Sequence, residues 1–444
     1  MKPQLLRGLL AAAGLFAASQ AHAQLDPQLD YLSPGGPLSE AQVKAAPAKP
    51  AVALGAATYT YLRCYYRLDL NGAKPQTSYH WALDPSSGDY YRVNGYWWSG
   101  SIVALKNMFY SDVAQDTLAG VCQKTLAAKG ISRPVALYAA ANNQLSYNHT
   151  IWSQDSASQP ARVNKLIVFG DSLSDTQNMY GASQWKLPNA KSWFIGRFSN
   201  DRVWVEYLAE QLNLPIYNWA IGGSAADQHL VVPGLLQQVE SWSQYMQKAA
   251  NYRPENSLFT MLIGGNDLLN YGRTVDQVIA DQGKALERVI NAGARHIVVL
   301  NLPNLARTPA AQASGKAAAL APQVRDYNAK LALLVTQLQQ KYGSTLKLNL
   351  FDSNTLFDDL LDHPAKYQVS NATQSCLDIA GNASLPYIWE QKPRAECGNP
   401  DSFVFWDVLH PTTHTHKLLG GYVANFVKAA DPAVSAAAAL KARR

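Results

Sequence analysis

Two hydrophobic rhythms divide the chain. From about residue 165 onward, unbroken apolar runs alternate with stretches whose apolar residues recur every three or four positions. The runs are Lys165-Leu-Ile-Val-Phe169, Ser257-Leu-Phe-Thr-Met-Leu-Ile263 and His296-Ile-Val-Val-Leu300, with Leu346 to Leu350 and the stretch Pro215 to Ala220. Apolar on both pleat faces, they read as strands buried in a parallel sheet. Helical periodicity fills 202–213, 274–292 and about 322–341. The alternation predicts βαβ units, hence an α/β fold with a parallel sheet flanked by helices. Sites in such folds gather in the loops at the carboxyl ends of the strands.

Residues 58–110 follow the other rhythm. Thirteen aromatic residues fall here, among them Tyr65-Tyr66, Tyr90-Tyr91 and Tyr96-Trp97-Trp98. Asn71-Gly72, Ser87-Gly88-Asp89 and Asn94-Gly95 punctuate them, which predicts short strands and hairpins. A helix carrying Cys122 is expected over 112–129. The Asn/Gln/Ser-rich stretch 139–163 ends in Gln159-Pro160 and reads as a linker. Residues 24–54, rich in Pro and Ala, read as an extended leader. The expected division is therefore 1–23, 24–54, a small mainly β domain over 55–140, a linker over 141–163, a catalytic domain over 164–430 and a tail over 431–444.

The N-terminus sets the compartment. Lys2 and Arg7 precede an apolar run to Ala18, then Ala21-His22-Ala23. A basic start, a short apolar core and a small-x-small site describe a bacterial secretory signal peptide cut after Ala23. The run is shorter than the roughly 20 residues that span a bilayer. A secreted or periplasmic protein is expected. Export permits disulfides, and the simplest of three connectivities joins Cys64 to Cys122 and Cys376 to Cys397.

Composition narrows the function classes. With 48% hydrophobic and 16% charged residues, the chain has ample core for one or two domains and is not of the disordered class. The net charge of +6 arises without any dense Lys/Arg tract, so nucleic acid is not an expected partner. No metal site is expected. His410 and His414 stand four apart, but Pro411 interrupts a helix through both, and no CxxC pair occurs.

The chemistry sits after the strands. The first is followed by Gly170-Asp-Ser-Leu-Ser-Asp175, the stretch 215–220 by Gly222-Gly223, and the strand ending at Ile263 by Gly264-Gly-Asn-Asp267. Asp407-Val-Leu-His-Pro411 lies near the C-terminus. A serine on a strand-to-helix turn exposes its hydroxyl beside helix-start N–H groups that can hold an oxyanion. A glycine N–H and an asparagine amide can donate to that oxyanion, and a histidine with an aspartate supplies a base and its orienter. Taken singly, Ser172 reads as a helix N-cap, and Gly223 and Asn266 as turn residues. Four blocks together read as a catalytic set.

These blocks resemble the GDSL serine esterases, also called SGNH hydrolases, in order and spacing. Trp193-Phe-Ile-Gly-Arg-Phe-Ser-Asn200 and Val203-Trp-Val-Glu-Tyr207 are similar to the bacterial lipase branch. Arg63-Cys-Tyr-Tyr-Arg67, Gly95-Tyr-Trp-Trp98 and Lys106-Asn-Met-Phe-Tyr110 resemble the thermolabile haemolysins of vibrios, secreted phospholipases with a small domain ahead of the catalytic one. The resemblance spans roughly 58–428. It implies a flavodoxin-like SGNH sheet, Ser172 as nucleophile, His410 as general base and Asp407 as orienting acid. It also implies an oxyanion hole from the Ser172 N–H, the Gly223 N–H and the Asn266 amide, with Gly222 the alternative to Gly223. Two positions depart from the family: Gln177 and Asp201 stand where glycine is common.

The resemblance implies a cofactor-free lipid esterase that cleaves glycerophospholipid acyl esters during transient contact with a membrane surface. Acyl transfer to a sterol and hydrolysis of acetylated glycans or small esters are the rival activities. The aromatic residues at 58–110 have two readings: the core of the small domain, or an interfacial belt including Tyr96, Trp97 and Trp98.

Overall fold

The aromatic stretch folds around one long strand. In the computed structural model, which describes residues 58–439 apart from 71–72, 99–107, 142–147, 154–161, 184, 247–248, 250–251 and 381–385, that strand is β1 (Thr58–Arg67). The expected signal peptide and leader lie outside the described residues. β2 (Thr77–Trp81) and β5 (Leu137–Ala141) flank the second half of β1, and β3 (Val93–Trp98) pairs with its first residues. β4 (Met108–Ser111) and β6 (Thr150–Ser153) extend the sheet in the order β2-β1-β3-β4-β6. Helix α1 (Gln115–Ala128) packs on this sheet, and Cys122 is bonded to Cys64 of β1.

The stretch 141–163 is thus not a plain linker. Its Ile151 and Trp152 are buried in β6, which pairs in parallel with β4, so two apolar residues in a polar context carry the strand.

The aromatic residues join the two halves of the molecule. Tyr61, Tyr65, Tyr79 and Trp81 form one buried cluster with Tyr180, Phe194 and Ile195 of the second half. Trp152 lies on Tyr217, ring centres 4.0 Å apart, inside the main core. Arg67 donates to the Asn200 carbonyl at 3.2 Å and pairs with the Asp201 carboxylate. One departure from the family is thereby accounted for: Asp201 is the ion-pair partner that ties the small domain down. Tyr96 stacks on Tyr110 at 5.0 Å, while the side chains of Trp97 and Trp98 lie outside the described residues.

The apolar runs form β7 (Lys165–Gly170), β8 (Ile216–Asn218), β9 (Ser257–Leu262), β10 (His296–Leu300) and β11 (Lys347–Phe351). All pair in parallel, in the order β11-β10-β9-β7-β8. β7 and β9 are buried along their whole length. Between them come α2 (Trp204–Leu212) and α3 (Leu235–Met246), and after β9 comes α4 (Val275–Asn291) with its Thr274/Gln277 capping box. α5 (Ala317–Tyr342) precedes β11, and α6 (Ser353–Asp362) follows it directly, capped by Asp352.

β12 (Asn371–Ser375) and β13 (Phe403–Phe405) make a small separate pair, and α7 (Thr413–Ala430) closes the domain. The expected tail instead continues as a helix, Pro432–Ala439, whose Val434 is buried in the main core. A single apolar residue among alanines is too weak a pattern to have marked it.

This is the flavodoxin-like order. The chain leaves β7 toward β8, then returns past β7 to β9, so the loops after β7 and β9 part in opposite directions. The crevice between them is where such sheets hold their sites.

Candidate active site

Ser172 lies in that crevice. Gly170 ends β7 where a Cβ would come within 2.8 Å of the Leu262 carbonyl, so only glycine lets the strands stay this close. The chain then turns sharply, with the Ser174 and Asp175 N–H groups donating to the Asp171 carbonyl. The Asp171 carboxylate accepts the Leu173 N–H at 3.0 Å. Asp175 is buried and accepts four backbone N–H groups, from Gln177, Asn178, Met179 and Gly222. Burial pushes the carboxyl groups of both aspartates up, that of Asp171 to about 7 against the opposing pull of the Leu173 N–H and His410. Gln177 holds φ at +158°, a conformation glycine adopts readily, which is the local reason for glycine there in the family.

His410 and Asp407 reach Ser172 from the loop between β13 and α7. The Trp406 and Asp407 N–H groups donate to the His410 carbonyl, and Phe405 bridges to Pro411, so residues 405–411 form a closed turn. His410 Nε2 is 2.8 Å from Ser172 Oγ. Its Nδ1 is 3.0 and 2.9 Å from the two Asp407 oxygens. Asp407 is buried, which alone raises its pKa. His410 and the N–H groups of Leu409 and His410 outweigh that and hold it below the ordinary carboxylate value. An ionised Asp407 accepts only, so Nδ1 carries the imidazole proton and Nε2 has its lone pair toward Ser172.

The oxyanion candidates lie on the neighbouring loops. Gly222 commits its N–H to Asp175 at 2.8 Å, which removes it as a donor to substrate. Gly223 follows at φ +80°, its carbonyl gripped by the Tyr271 hydroxyl at 2.7 Å. Asn266 accepts from the Asn270 amide at 2.9 Å and donates to the Ser224 carbonyl at 3.0 Å. That pair of bonds turns its NH2 group toward the Gly223 loop.

Several contributors carry no local signal in the sequence. Trp193 Nε1 donates to Asp407 Oδ2 at 2.9 Å. The Phe198 ring lies 5.0 Å from that of His410, and the Tyr387 hydroxyl is 3.4 Å from His410 Nδ1. Trp193 and Phe198 belong to a motif of the lipase branch, although the motif does not say what they touch. Tyr387 lies between Cys376 and Cys397, which are bonded to each other and share a cluster with Trp193. Three other histidines of the C-terminal part point elsewhere. His414 reaches the Tyr367 carbonyl, His363 pairs with Asp359, and His416 accepts the Trp204 N–H.

An apolar cleft opens beside Ser172 and His410. Among the described residues no helix is long and apolar enough to cross a membrane.

Two known families match successive parts of the chain. The N-terminal domain of the Vibrio dual lipase/transferase matches residues 31–154, and the GDSL-like Lipase/Acylhydrolase family matches residues 166–423. The chain is 41% identical over 367 residues to the thermolabile hemolysin of Vibrio parahaemolyticus, covering 81% of this chain and 86% of that one. It is 29% identical over 324 residues to the phosphatidylcholine-sterol acyltransferase of Aeromonas hydrophila, covering 62% and 93%. It is 26% identical over 270 residues to the secreted effector protein SseJ of Salmonella typhimurium, covering 60% and 64%. The chain belongs to the GDSL-like lipase/acylhydrolase family, the serine ester hydrolases, with a Vibrio lipase/transferase-type domain ahead of the catalytic one.

Proposed function

We propose that this protein is an exported lipid esterase that hydrolyses acyl esters of glycerophospholipids through an acyl-serine intermediate. The observation that carries the reading is the relay from Ser172 to His410 to Asp407, at 2.8 and 2.9 Å, with Ser172 and His410 lining an apolar cleft. Ser172 Oγ attacks the ester carbonyl while His410 Nε2 takes its proton. The tetrahedral oxyanion is held by the Ser172 and Gly223 N–H groups and the Asn266 amide. His410 then protonates the leaving alcohol, and in the second half it draws a proton from water, which releases the fatty acid.

The enzyme works at a lipid surface in transient contact. Leu230 and Val231 are 50% and 37% exposed, and Trp389 is 65% exposed. Val232 and Tyr387, beside them in the chain, share one apolar cluster with Phe198, which lies against His410. The exposed side chains thus stand one or two residues from members of the cluster that packs on His410, on two loops, and this supports their dipping into lipid. Export is supported by the N-terminal pattern and the two disulfides.

Acyl transfer is the second reading, favoured by the similarity to a phosphatidylcholine-sterol acyltransferase. There a sterol hydroxyl replaces water in the second step. Lipid product profiling of the purified protein and its Ser172→Ala variant, with and without cholesterol, tests both. Free fatty acid and lysophospholipid are expected, absent in the variant. Cholesteryl ester as the main product assigns acyl transfer. Unchanged product with Ser172→Ala overturns the mechanism.

A further inference from the structure

We propose that the cleft beside Ser172 is an acyl-chain channel along the carboxyl edge of the sheet, and that Leu360 and Leu418 at its distal wall set the preferred acyl length. This rests on the esterase reading above and adds where the acyl group lies and what measures it.

The walls follow the strand order. The cleft is lined by Ser172 after β7, Leu262 at the end of β9, Leu305 beyond β10, then Leu360 of α6 and Leu418 of α7. From β7 to β11 are three strand spacings, roughly 15 Å at about 4.8 Å each. An acetyl group fills only the entrance of such a space. The distal wall is well fixed, because Arg307 donates to Asp358 at 2.9 Å and to Asp362 at 2.5 Å and so clamps α6 to the loop after β10.

The lining suits hydrocarbon and little else. Its hydroxyl groups are turned back into the protein: Thr308 donates to the Leu305 carbonyl, Ser353 to that of Asn301 and Thr415 to that of Val404. His416 accepts the Trp204 N–H through Nδ1, and burial pushes its pKa down to about 3, so it is uncharged. A sugar or a phosphate head group placed here would lose its water without finding matching partners, whereas an acyl chain loses nothing. The polar side chains that remain in the lining are Ser172 and its neighbour Asp171, His410 and Asn266, with His416 Nε2 a buried atom there that has no partner among the described residues.

The test is the chain-length profile of kcat/KM on acetyl, butyryl, octanoyl and palmitoyl p-nitrophenyl esters. Each methylene buried in the channel is worth about 0.8 kcal/mol, roughly fourfold in kcat/KM, until the channel is full. Leu360→Trp fills the distal wall, and the palmitoyl-to-butyryl ratio is expected to fall at least about tenfold, the equivalent of two displaced methylenes. The ratio cancels any general loss of active enzyme. Should Leu360→Trp not fold, Leu418→Phe narrows the same wall by less and from the other helix. A flat profile in the parent, or an unchanged ratio in the folded variants, overturns the channel and leaves the esterase intact. Cleavage of none of the four esters overturns the esterase reading itself, and the channel with it.

Discussion

Replacing Asp407 by Asn is expected to be far more damaging than its near-identical shape suggests. Asp407 Oδ1 accepts the Leu409 and His410 N–H groups, both at 2.9 Å, and Oδ2 accepts Trp193 Nε1 at 2.9 Å. An asparagine has only one acceptor oxygen. Two backbone donors against one indole donor place that oxygen at the Oδ1 position and the NH2 group at Oδ2. There it faces the Trp193 N–H and donates to His410 Nδ1 in competition with the acceptor oxygen at the Oδ1 position 3.0 Å away, which favours the unprotonated form of that nitrogen. Nε2 takes the proton and can no longer accept from Ser172 Oγ. The inverted tautomer costs about 10³–10⁴ in kcat in triads of this kind, about 4–5.5 kcal/mol of transition-state stabilisation. Steady-state kinetics on a soluble butyryl ester separate kcat from KM, with KM expected within about threefold of the parent. Asp407→Ala leaves either tautomer open and is expected to retain more activity than the asparagine variant. A kcat within about threefold of the parent for Asp407→Asn refutes the reasoning.

Three further outcomes follow from the same contacts. Arg67 and Asp201 are 9% and 29% exposed in their side chains, so Arg67→Ala strips a mostly buried carboxylate of its partner. A loss of about 2–3 kcal/mol in urea-induced unfolding is expected, and a loss below about 0.5 kcal/mol removes the pair as a link between the domains. The Asp171 carboxyl is raised to about 7, so the folded protein holds a proton that the unfolded chain releases at its ordinary, lower value. This contribution to stability is complete in acid and is lost as pH rises from about 4 to about 7. Asp171→Asn is expected to flatten that part of the Tm profile, and an identical slope in parent and variant removes Asp171 as its source. Leu230→Asp combined with Trp389→Asp is expected to lower hydrolysis of phosphatidylcholine vesicles at least tenfold more than hydrolysis of a soluble butyryl ester. Equal losses on the two substrates place the lipid contact elsewhere.

What was legible in the sequence was legible because it is local. Strands β7, β9 and β10 are apolar over most of their length, since both faces of the central sheet are covered, and the four blocks fall at strand ends where the fold itself builds sites. The choice between Gly222 and Gly223 was not legible, because it turns on Asp175, whose carboxylate lies far back in the chain and claims the Gly222 N–H. Trp193 and Tyr387 belong to the same class. Their contacts with Asp407 and His410 depend on loops that no periodicity describes, one of them closed by the Cys376–Cys397 bond. The aromatic excess in the small domain was visible at once, yet its use was not. Tyr61, Tyr65, Tyr79 and Trp81 bury themselves against Phe194 and Ile195, next in the chain to Trp193. The small domain thus packs on the segment that supports Asp407. β6 and the helix at 432–439 escaped notice because each buries only one or two apolar residues in an otherwise polar or alanine-rich stretch.

The central claim is that Ser172 carries the acyl group. A long-chain p-nitrophenyl alkylphosphonate, which mimics the tetrahedral intermediate and leaves a stable adduct, tests it by peptide mass spectrometry alongside residual esterase activity. The account predicts one phosphonyl group per chain on the Ser172 peptide, activity lost in proportion, and no labelling of Ser172→Ala. Inactivation with the adduct on another residue, or full activity with Ser172 labelled, would contradict it.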